Sequence, residues 1–111
     1  MIYIASPYTH ADKEVMVQRF MDVSRYAAEL TARRKCCFCP ISHSHPWTLF
    51  PEHDVPHDWD FWEKLDEPFM EICDEIHVLM LDGWDASRGV ANEIRHFLIR
   101  CKPVVYIDPD K

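Results

Sequence analysis

Apolar residues recur along this chain with two alternating periods, and the alternation predicts a βαβ pattern. Met1 to Ala5 is a short apolar run of strand type, followed by a loop at Ser6-Pro7-Tyr8-Thr9-His10. Thr9 with Asp12 three residues on is a helix N-cap signature. Met16, Phe20, Val23, Ala27 and Leu30 then recur at four-three spacing and mark one face of a long helix. Arg33, Arg34 and Lys35 suit its C-terminal end. Cys36 to Cys39 reads as a second strand, and Pro40 to His57 as a long proline-rich loop. Asp58 caps a helix carrying Trp59, Trp62, Leu65, Phe69 and Ile72. Ile76 to Leu81 is a third strand. Ser87 to Cys101 is a helix with Val90, Ile94, Phe97, Leu98 and Cys101 on one face, and Pro103 to Ile107 is a fourth strand.

Strands alternating with helices imply a parallel sheet with right-handed crossovers. The expectation is a three-layer α/β fold, flavodoxin-like or Rossmann-like, with strand order 2-1-3-4 and a single domain over residues 1–111. Ligands of such sheets bind beyond the strand C-termini, at the switch between strands one and three. Two loops then face each other there, Ser6 to His10 and Asp82 to Gly89, with Pro40 to Pro46 beside them.

Composition narrows the partners. A net charge of -7 argues against a nucleic-acid backbone or an anionic membrane surface. No apolar run approaches the ~20 residues of a membrane span. Five cysteines, an odd count, read most simply as reduced thiols in a cytoplasm. The aromatic helix and the proline-rich loop offer more apolar surface than one small domain needs, which predicts a homodimer or homotetramer.

Both glycines, Gly83 and Gly89, fall in the turn between strand three and the last helix. Glycine is used where the backbone must bend or approach something closely. Ser87, Arg88 and Gly89 at a helix start can hold a phosphate or a sugar hydroxyl, or Ser87 can simply cap the helix. The first loop has no glycine, which excludes a P-loop or a dinucleotide fingerprint there. Glu93 lies about 60° from the apolar stripe, at the ~100° per residue of a helix. A carboxylate at that edge can attack an electrophilic carbon or act as a base; it can equally be a surface glutamate. Cys36, Cys37, Cys39, His43 and His45 lack the usual spacing of zinc ligands, and the cysteines read as small buried hydrophobes. His43 and His45 sit just past a strand end, where they can contact a ligand or stand as loop histidines with no catalytic role.

Ile2-Tyr3-Ile4-Ala5-Ser6-Pro7-Tyr8, the segment Asp66 to Asp74, and Gly83-Trp84-Asp85-Ala86-Ser87-Arg88-Gly89 through Glu93 together resemble the nucleoside 2-deoxyribosyltransferase superfamily. They are most similar to its small branch with a Gly-Trp-x-x-Ser-x-Gly turn. The resemblance implies a catalytic glutamate nucleophile at Glu93, oriented by Tyr3. It implies that Asp66 handles the nucleobase or its proton. It implies Ser87 as the holder of a 5′-phosphate within the Ser-x-Gly turn that Gly89 completes. Ser6 and Tyr8 would meet the ligand from the first loop, and Asp85 would contact the base. The substrate would be a small nucleoside or nucleotide, with neither metal nor cofactor required. Ile94 and Arg95 follow Glu93 where the transferases carry a small residue. Hydrolysis and transfer both stay open, as do a non-catalytic nucleotide-binding module and an oligomeric regulatory protein.

Overall fold

The computed structural model describes residues 1–56 and 58–110. Four parallel strands form one sheet in the order β2-β1-β3-β4, as the alternation predicts. They are β1 (Ile2–Ala5), β2 (Cys37–Phe38), β3 (Glu75–Leu79) and β4 (Val104–Ile107). Tyr3 pairs with Phe38 on one side and Ile76 on the other, so β1 is central. All four of its residues are buried. That explains a strand without apolar-polar alternation, because both faces are covered.

Alternation of side chains along the strands divides the core into two layers. Ile2, Ile4 and Leu79 pack under α1 (Lys13–Ala32) with Val23 and Leu30. Tyr3, Ala5, Ile76 and Val78 face α3 (Trp59–Ile72) and α4 (Arg88–Ile99) with Met70, Val90 and Phe97. Each of the buried Val, Ile, Leu, Met and Phe side chains contributes about 1.5–3 kcal/mol by leaving water. Among the described residues, no helix is long and apolar enough to cross a membrane.

Several boundaries differ from the expectation. Asp12, not Thr9, is the N-cap of α1, its carboxylate accepting from the Glu14 N–H at 2.9 Å. The expected loop from Pro40 to His57 contains α2 (Pro40–Ser44) and a 3-10 helix at His45–Leu49. Pro40 and Pro46 each stand in a first turn, where the missing N–H costs nothing. Prolines there start helices rather than prevent them. His57 lies outside the described residues. Strand β3 ends at Leu79, two residues early, because Leu81 N–H turns back to the Leu79 carbonyl. Ile72 and Leu98 were expected on buried faces but are mostly exposed. Met70 takes the buried place on α3, and α4 seats only Val90 and Phe97 fully. Cys101 has a left-handed φ of 56° just past α4 and is exposed.

Candidate active site

Strand β1 and helix α4 bring together residues ninety positions apart. The Tyr3 hydroxyl donates a hydrogen bond to the Glu93 carboxylate. Tyr3 is fully enclosed, its ring tilted against Phe38 and Phe97 at centroid separations of 6.0 and 5.7 Å. Those rings fix the phenol, and the phenol fixes the carboxylate. Solvent reaches part of the Glu93 side chain, but protein atoms crowd its carboxyl on nearly every side.

The electrostatics follow from that setting. Burial pushes the Glu93 carboxyl up to about 8; the Tyr3 hydrogen bond opposes the rise, and the negative charge of Asp66 adds to it. Burial likewise pushes Asp66, on α3, up to about 6. Tyr3 itself is raised well above its ordinary range, by burial first and then by Glu93 and Asp66. It therefore stays a hydrogen-bond donor at neutral pH. Asp66 lies close enough to raise Glu93, so the two carboxyls are read together. Between about 6 and about 8 the pair holds one proton and one negative charge.

Ser87 caps α4, accepting from the Val90 N–H at 3.2 Å. Capping uses the oxygen as acceptor, so the serine O–H remains a donor for an incoming anion. At Gly89, one residue inside the helix, an added Cβ would stand 3.9 Å from the Ser87 Oγ, an ordinary contact. The tightly constrained glycine is Gly83, with φ +90°. A Cβ there would stand 2.9 Å from Arg19 Nη2.

Arg19 is a residue that sequence reasoning missed. From α1 its guanidinium donates to the Tyr8 and Thr9 carbonyls at 3.4 and 3.2 Å and to the Asp82 carbonyl at 2.9 Å. It ties the loop after β1 to the loop after β3, the two segments expected to flank a ligand. Gly83 is the sequence signal for that close approach.

The remaining expected residues divide. The Ser6 side chain is buried at the end of β1, and its hydroxyl finds no partner among the described residues. Tyr8 turns toward α1, its hydroxyl 2.5 Å from His45 Nδ1, and packs on the α1 side of the sheet, away from Glu93. His43 is exposed on α2, with its ring against Phe38, Trp47 and Phe69. Phe38 and Phe69 stack in parallel at 3.9 Å, so an aromatic wall runs from Tyr3 outward to Trp47. Asp85 is exposed on the 3-10 turn Trp84–Ala86, and the carboxylate that shifts Glu93 is Asp66 instead. Cys37 and Cys39 lie on the α1 face, Cys39 buried and Cys37 partly so, while Cys36 is exposed.

No curated protein matches the chain. A family model described as "Domain of unknown function (DUF1937)" matches residues 1–108. The sheet, the Tyr3–Glu93 pair and the Ser87 turn all fall inside that span, and the chain belongs to the DUF1937 family.

Proposed function

We propose that this chain breaks the N-glycosidic bond of a (deoxy)nucleoside or nucleoside 5′-monophosphate, with Glu93 as nucleophile. The observation that carries the reading is the buried Tyr3–Glu93 hydrogen bond beside Asp66. Such cleavage passes through an oxocarbenium-like state and needs a carboxylate beneath the anomeric carbon and an acid for the departing base. A Glu93 oxygen bonds to C1′ as the C1′–N bond breaks. The bond's electron pair goes to the base nitrogen, which takes a proton from Asp66. Asp66, now ionised, takes a proton from water or from the nitrogen of a second base as that nucleophile bonds to C1′ and displaces the Glu93 carboxylate.

Tyr3 acts as a positioning residue, holding the attacking oxygen in one orientation. The free Ser87 O–H and the first N–H groups of α4 suit a 5′-phosphate. The unpaired Ser6 hydroxyl suits a sugar oxygen, since a buried hydroxyl is normally paired. The aromatic wall of Phe38, His43 and Trp47 offers the base an apolar side. The setting in this reading is a cytoplasmic homodimer or homotetramer.

The free site favours the proton on Glu93, at about 8, over Asp66, at about 6. Reaction needs the opposite placement, a rearrangement on the order of 3 kcal/mol. Positive charge developing at C1′ favours an ionised Glu93 and offsets that difference. The same proton placement supports a second reading, a binding module in which neutral Glu93 donates a hydrogen bond to a nucleotide. Incubation with a panel of deoxynucleosides and their monophosphates, with and without acceptor bases, separates the two by chromatography. Free base supports the enzyme. Binding without base release from any member supports the module.

A further inference from the structure

Helices α3 and α4 pack against one another, and an open cavity of about 500 Å³ lies between residues of the two. Trp59 of α3 forms one wall; Arg88, Ala91, Asn92 and Arg95 of α4 form the other. The four α4 residues follow i, i+3, i+4, i+7 spacing, so they share one face of that helix. Glu93 lies about 140° around the helix from Arg88. The cavity therefore opens on a different side of α4 from the carboxyl pair.

Its chemistry stands out against a chain of net charge -7. Among the described residues, neither Arg88 nor Arg95 forms a salt bridge or donates a hydrogen bond. The Arg88 guanidinium lies 4.4 Å from the centre of the Trp59 ring. A guanidinium held against an indole is oriented in advance while its N–H groups stay available. The Asn92 amide is fixed by Glu63 at 3.0 Å, so that carboxylate is already engaged. Ala91, between the two arginines, leaves only a methyl group on the floor.

The arginines stand seven positions apart, two helical turns and about 10 Å of rise. A single small anion reaches both only if the long side chains converge fully. A diphosphate spans more of that distance and presents oxygens at both ends for bidentate guanidinium contacts. We propose that the cavity between α3 and α4 is an anion-binding site for the diphosphate group of a small molecule, held between Arg88 and Arg95. The site is separate from the Glu93 pocket and does not depend on the glycosidase reading.

Isothermal titration calorimetry of the full chain with inorganic pyrophosphate, at about 0.15 M salt so that long-range attraction is screened, tests this. The expected result is saturable binding, tighter than for inorganic phosphate. Arg88→Gln and Arg95→Gln each weaken it at least tenfold, while Arg25→Gln, at an exposed arginine of α1, leaves it unchanged. Circular dichroism verifies that each variant folds, and exposed Arg95 supplies a readout if Arg88→Gln loses its fold. Absence of binding overturns the proposal. Binding that survives both arginine substitutions, or that Ser87→Ala abolishes while Arg95→Gln does not, places the anion elsewhere and also overturns it.

Discussion

The Tyr3 hydroxyl and the Glu93 carboxylate meet between the central strand and the last helix. The pair stands in the layer built from Ala5, Ile76, Val78, Val90 and Phe97. A phenol in that layer without a partner would leave a buried polar group at a cost of about 1–3 kcal/mol. Glu93 satisfies it and is held in return.

Tyr3→Phe keeps the ring and its packing and removes only the donor. A hydrogen bond to a charged group is worth about 1.5–3 kcal/mol, so base release should fall roughly 10- to 100-fold. The Tyr3 bond pulls the Glu93 value down. Its loss should therefore also carry the alkaline limb of the rate profile to higher pH. A rate profile of Tyr3→Phe that overlays the native one would separate Tyr3 from the chemistry.

The coupled carboxyls predict a bell-shaped pH dependence. Below about 6 both are protonated and no nucleophile remains; above about 8 both are ionised and no acid remains. Stability carries the same signature. Between the ordinary glutamate value of 4.5 and about 8, the folded site holds a proton that the unfolded chain has released. Stability therefore falls as pH rises through that window. Glu93→Gln should raise the unfolding free energy at pH 8 more than at pH 5, by an amount on the order of 1–3 kcal/mol, read from thermal unfolding at the two pH values. Equal effects at both pH values would mean that Glu93 titrates normally.

Arg19 and Gly83 supply a test of the loop clamp. Gly83→Ala places a Cβ at φ +90° and 2.9 Å from Arg19 Nη2. The backbone strain, about 1–3 kcal/mol, is present whatever occupies position 19. The clash is not. Urea unfolding should show Gly83→Ala costing about 1 kcal/mol less in an Arg19→Ala background. Strict additivity would show that the two residues do not press on one another.

Ser87→Ala removes the hydroxyl that caps α4 and, in the proposed reaction, meets a 5′-phosphate. The cap alone is worth roughly 1 kcal/mol of stability. KM for monophosphates should rise more than KM for nucleosides. A parallel rise for both would leave Ser87 a cap alone.

What the sequence disclosed depended on where the information lies. The sheet was legible because Ile2–Ala5 is apolar on both faces and β3 carries Ile76, Val78 and Leu79 around the one buried His77, as parallel strands covered on both sides do. The segment from Pro40 onward was not, because a proline breaks a helix interior and starts a helix end, and only neighbouring structure decides which. Glu93 was legible as a carboxylate at the edge of the α4 stripe. Its partners were reached only through family resemblance, since nothing in the spacing of Tyr3, Asp66 and Glu93 brings them together. Arg19 was hidden for a different reason. It bonds main-chain carbonyls, which every residue carries, so only the glycine opposite it left a trace. Tyr8 was drawn toward the ligand by its place in the first loop, yet His45, from a segment expected to be loop, provides its partner.

Incubation of native protein and Glu93→Gln with the deoxynucleoside and monophosphate panel, reading free base by chromatography, tests the central claim most directly. Glutamine keeps the shape of the side chain and removes both its charge and its acid. The account predicts base release by native protein, no detectable release by Glu93→Gln, and ligand binding retained in both. Full hydrolysis by Glu93→Gln would contradict the assigned nucleophile, and binding without any release by native protein would contradict the reaction itself.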